Sequence, residues 1–146
     1  MGRRTAAAAL SVVYGIARPF AGPRFSHAAS GGGASGGLSA TVSFTGGGGS
    51  LVLVAPNAVG PTANSSVCPE GVTAPLCGGF MLGGSDGEWR AATGALSPDA
   101  AHLVLSAPAP VGVTATAVAS GWTLWPITLL YGVNDLPIFP FNGTVQ

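Results

Sequence analysis

A chain of 146 residues has the length of one domain with room for an appendage, and only 7% of it is charged, against about 25% in an ordinary globular protein. Five Lys and Arg balance five Asp and Glu, so the chain lacks the basic footprint that nucleic-acid binding requires. A surface with so few charges is poorly soluble alone, which points to part of it being covered by a partner.

In chain order, Gly2-Arg3-Arg4 leads into a run of alanines in which Ala6, Leu10, Val13 and Ala17 recur at helical spacing, with Gly15 and Pro19 marking the end. The same stretch carries two arginines before a short apolar run, as a signal peptide does, and it is too short to span a bilayer. On residue pattern both readings stay open. Residues 19–25 read as an extended connector, because proline disfavours helix in the residue before it. Residues 31–37 read as a flexible Gly/Ser loop.

The chain then turns to period two. Leu38, Ala40, Val42 and Phe44 alternate with Ser39, Thr41, Ser43 and Thr45, the pattern of a half-buried strand. Glycines 46–49 supply a turn and residues 51–54 a second strand, so the two are expected to pair as a hairpin. Residues 57–76 are polar, proline-containing and irregular, hence a surface loop. Further strands are expected at 79–82, 88–91 after the turn Ser85-Asp86-Gly87, 102–107, 111–119 and 127–131. Short strands separated by turn signals predict a mainly β fold: an antiparallel β-sandwich preceded by one N-terminal α-helix. The segment 122–141 concentrates Trp122, Trp125, Tyr131, Phe139 and Phe141 in a chain otherwise made of small residues, and its rings should fix the packing around it.

Chemistry-bearing residues are few. Cys68 and Cys77 bracket a turn-rich loop and could close a small disulfide in an oxidising compartment, or remain two free thiols. Neither His27 nor His102 stands at metal-ligand spacing to them, so no metal site and no cofactor is expected. Asn64-Ser-Ser66 and Asn142-Gly-Thr144 fit the N-glycosylation pattern, and unused sequons are the alternative. Gly33-Ala-Ser35-Gly-Gly37 and Gly83-Gly-Ser85-Asp-Gly87 both match G-x-S-x-G, but neither leads from a strand into a helix as a nucleophile elbow must. Gly31, Gly33 and Gly36 match the dinucleotide pattern with the same lack of context. His102 reads as an exposed strand histidine without nucleophile or orienting carboxylate, His27 as part of the connector, and Asp86, Asp99 and Asp135 as turn residues. No catalytic residue is assigned.

Taken together, the ordered landmarks resemble one family. Gly2-Arg3-Arg4 with the helix ending at Tyr14-Gly15, then Gly22-Pro23-Arg24-Phe25, resembles the closing helix and exit of the hydrolase domain of sialate O-acetylesterases. Thr41 to Phe44, Gly79-Phe80, Asp86-Gly87-Glu88-Trp89 and His102 to Ser106 resemble that family's C-terminal strands, and Trp122, Trp125-Pro126, Leu130-Tyr131, Leu136-Pro137 and Pro140-Phe141 its terminal segment. The chain departs from the family at Ala119-Ser120 and at Gly132, where the family carries polar side chains.

The resemblance implies an SGNH/GDSL carbohydrate esterase whose flavodoxin-like domain removes O-acetyl groups from sugars. Its catalytic Ser and Asp-x-x-His segments precede the closing helix and match nothing here. The expected layout is residues 1–18 as the last helix of that hydrolase domain, 19–37 as connector and loop, and 38–146 as a C-terminal β-sandwich. On this reading Met1 starts a truncated or split frame, the chain is inactive alone, and its partner is the upstream hydrolase domain. O-acetylated sugar is then the substrate of the intact relative, and its setting is secreted or lysosomal. The rival is a secreted sandwich module that binds carbohydrate or protein behind a true signal peptide, which N-terminal sequencing would reveal as a start beyond Ala17.

Overall fold

The computed structural model describes residues 2–16, 21–31, 37–46, 48–54, 79–121 and 130–146. The order of elements is α1 (Gly2–Val12), β1 (Arg24–Ser30), β2 (Gly37–Thr45), β3 (Leu51–Leu53), β4 (Phe80–Gly84), β5 (Trp89–Ala91), β6 (Thr93–Leu96), β7 (His102–Pro108), β8 (Ala115–Ser120), β9 (Leu130–Gly132) and β10 (Phe141–Thr144). The fold is mainly β, with antiparallel sheets and one short N-terminal helix. Alanine favours α1 throughout. Gly15, at φ +67°, ends it in the left-handed conformation that only glycine adopts freely, and the Ile16 N–H closes onto the Leu10 carbonyl.

Two four-stranded sheets run β1-β2-β7-β6 and β10-β8-β4-β5, and β3 pairs with β9 in a separate two-stranded ribbon. The alternation read along β2 holds: Leu38, Ala40 and Val42 are buried while Ser39 and Thr41 are half-exposed. Across the first sheet they meet the buried Leu103, Leu105 and Ala107 of β7. The second sheet contributes Phe80, Leu82, Ala115 and Val118 to the same apolar cluster. The core therefore lies between the two inner faces, as the pleat of a sandwich requires.

Both sheet edges are joined. At one, the chain passes from β5 to β6 through Ala92, whose N–H donates to the Phe80 carbonyl, so one run of backbone serves both sheets. At the other, Val145 bridges Ala28 in parallel, Ser30 N–H donates to the Gln146 carbonyl and Gln146 N–H to that of Ala28.

Four expectations change. β2 and β3 do not form a hairpin; β2 lies between β1 and β7, and β3 reaches across to β9. Residues 24–30, read within the connector, are strand β1. Its alternation is interrupted by a bulge between Phe25 and His27, which hides the period from a sequence reading. β6 and β10, not among the expected strands, carry glycine and threonine in place of an apolar alternation, and they are recruited by pairing with β7 and β8. The strand placed at 111–119 starts only at Ala115 and runs on to Ser120. The loop 57–76 and the residues Asn64, Cys68, Cys77, Trp122 and Trp125 lie outside the described residues.

Candidate functional site

The polar outer face of the first sheet holds the chain's two histidines in one row. Ser43 of β2 is in register with His27 of β1 on one side and with His102 of β7 on the other. The β1 bulge sets both Ser26 and His27 opposite Ser43, while Val42 and Ala28 turn inward to the core. His102 Nδ1 and Ser43 Oγ are hydrogen-bonded at 3.0 Å, and His27 Nδ1 lies 3.3 Å from Ser26 Oγ. Ser43 is only 8% exposed, one of two buried polar residues among those described, and His102 is half-buried. The expectation of an exposed strand histidine at 102 is thereby corrected: the register brings a hydroxyl to its ring.

A serine bonded to a histidine invites comparison with a hydrolytic dyad, and the geometry does not support one. The ring turns Nδ1, not Nε2, toward the hydroxyl, the reverse of a Ser-His-Asp triad. Asp99, which would have to orient the imidazole, accepts instead from Ser97 Oγ and the Ala101 N–H. Those two donors hold its carboxyl below the usual carboxylate range, the Ser97 bond most strongly. Ser43 lies within a strand rather than on a sharp turn, and it is covered from solvent.

Ser85 of the second G-x-S-x-G match sits in the β4–β5 hairpin turn and accepts the Thr114 N–H at 3.2 Å. The chain continues from it into strand β5, not into a helix, so no elbow forms. In the same hairpin Asp86 accepts hydrogen bonds from Nη1 and Nη2 of Arg90 and from the Glu88 N–H. The Arg90 hydrogen bond is the main cause that brings the Asp86 carboxyl from 3.8 down to about 2. A carboxyl lowered on folding stabilises above its unfolded value and loses that contribution as pH falls through the folded one. Stability should therefore fall between pH 3.8 and about 2, and Asp86→Asn should flatten that stretch of an acid titration followed by circular dichroism.

Asn142 is exposed on β10. Asp135 adopts φ +57° in the turn after β9, as its reading as a turn residue anticipates. Among the described residues no three His, Cys, Asp or Glu come together as a metal-binding group, and no helix is long and apolar enough to cross a membrane. The Ser43–His102 pair was not legible in sequence because 59 positions separate its members and only the β2–β7 register joins them. In comparisons with known proteins, no family model, curated protein or solved structure matches the chain.

Proposed function

We propose that this chain is the non-catalytic C-terminal part of a carbohydrate esterase of the sialate O-acetylesterase kind. On this reading α1 completes the layer of an SGNH hydrolase domain, and the sandwich braces that domain beside its sugar pocket. The exit of α1 carries the reading. Val12, Val13 and Tyr14 are 73%, 71% and 71% exposed, and Ile16 is 48% exposed. Among the described residues, no strand packs extensively against the helix.

Burying a large apolar side chain is worth about 1.5–3 kcal/mol, so such a run left in water is a docking face in search of its layer. A helix that belongs to a neighbouring hydrolase domain accounts for it, and the low charge of the chain points the same way. The landmarks from Gly2 to Phe141 that resemble the family supply the identity of that neighbour.

The chemistry would run on the hydrolase domain's own residues: serine attack on the acetyl carbonyl, histidine as base, and N–H donors on the oxyanion. This chain would contribute packing and a wall, and neither a catalytic group nor a cofactor. The purified chain is expected to give no turnover of an acetyl-ester substrate above a mock purification. Turnover that persists through further purification would overturn the assignment.

A further inference from the structure

We propose that Asn142 carries an N-linked oligosaccharide, which stands over the outer face of the second sheet. Asn142-Gly143-Thr144 is the acceptor pattern for such transfer. The fold adds the placement of its three residues, all on β10, the outermost strand of that sheet. Successive side chains of a strand turn to opposite faces. Phe141 belongs to the core, so Asn142 and Thr144 turn outward, and both are exposed.

Gly143 faces inward between them, in register with the buried Val118. A Cβ there would stand 2.6 Å from Cε1 of the Phe25 ring, so packing sets the middle residue of the pattern. The two residues that oligosaccharide transfer reads are the two that the core leaves to solvent. A bulky hydrophilic group on Asn142 therefore meets no part of the inter-sheet core.

The face beside Asn142 suits such a cover. The row of Asn142 continues through Ala119 and Met81 to Ala91, and that of Thr144 through Ala117 and Gly83 to Trp89. Neither row holds a charged side chain, and Trp89 is 45% exposed. Four strands about 4.8 Å apart make this face roughly 14 Å wide, a width that a few sugar rings span. A neutral, hydrated oligosaccharide supplies the solubility that so few charges cannot. In the transfer, the Asn142 amide nitrogen bonds to C1 of the reducing sugar of a lipid-linked oligosaccharide diphosphate. The bond from C1 to the diphosphate oxygen breaks, and one amide proton is released with the lipid diphosphate. Transfer requires that the chain enter a glycosylating lumen, whatever α1 packs against.

Expression of the full chain behind a cleavable secretion signal in eukaryotic cells tests the proposal, with intact-glycopeptide mass spectrometry of the product, secreted or retained. The peptide containing residue 142 is expected to carry an oligosaccharide. That sugar should be lost in Asn142→Gln and in Thr144→Val, and kept in Thr144→Ser and in Asn64→Gln. Asn142 is exposed, so wild-type chain and Asn142→Gln made in bacteria should melt at the same temperature, and the glycosylated chain should keep that transition. Absence of sugar from residue 142 in the wild-type chain, sugar kept there in Thr144→Val, or loss of the thermal transition on glycosylation would overturn the proposal.

Discussion

Replacing Phe141 by alanine is expected to destabilise the fold by about 3–5 kcal/mol, a large part of the 5–15 kcal/mol that holds an ordinary domain together. The Phe141 ring is 5% exposed and stacks on Phe25 with centroids 5.1 Å apart and planes 11° from parallel. Phe44 meets it edge-on at 5.6 Å and 76°. Phe25 and Phe44 belong to the first sheet and Phe141 to the second, so the three rings join the sheets beside the edge that Val145 and Gln146 close. Alanine there removes the ring's transfer energy, leaves a cavity and breaks two aromatic contacts worth about 0.5–1.5 kcal/mol each. Urea denaturation should show a lower midpoint, and Phe141→Leu should recover much of the loss. An unchanged midpoint would mean that the edge is held by its backbone bonds alone.

Gly22→Ala should be nearly as damaging, for the opposite reason. A Cβ at residue 22 would stand 1.8 Å from the Pro137 carbonyl oxygen and 2.7 Å from its carbon. Both are backbone atoms, so no side-chain rotation relieves the clash. The segment after β9 must move away, although the Phe139 N–H donates to the Pro23 carbonyl at 3.2 Å and the Ile138 N–H to that of Leu130. Overpacking costs about 1–3 kcal/mol where neighbours can adjust, and this site belongs at the top of that range. Hydrogen exchange at the Phe139 and Ile138 amides should accelerate more than at Val42 in the core. Equal acceleration throughout would show that the tail does not yield locally.

Both variants act on the segment that composition singled out, and they show what sequence could and could not reveal. Its rings marked it as a packing anchor, and Phe141 is one. The partners were not legible: Phe25 stood in a stretch read as connector, and the close approach of Gly22 to Pro137 depends on a chain separation no periodicity reports. Strands with uninterrupted alternation, β2 and β7, were found nearly to their ends. β1 was missed because its bulge breaks the period, and β6 and β10 because pairing, not side-chain pattern, makes them strands. The same limit hid the polar row. His27, Ser43 and His102 are ordinary singly and become a constellation only through two registers. The expected hairpin of β2 with β3 failed for a related reason: glycines 46–49 permit a reversal, yet β7 offers β2 the longer apolar match, and β3 finds β9.

Whether α1 belongs to the layer of a hydrolase domain is tested most directly by sedimentation velocity, with the purified chain mixed with a sialate O-acetylesterase-type SGNH domain that ends before its closing helix. The expected result is a one-to-one complex that Val13→Asp and Tyr14→Asp each abolish without lowering the chain's own melting temperature. Two species sedimenting independently, or a complex indifferent to both substitutions, would contradict it.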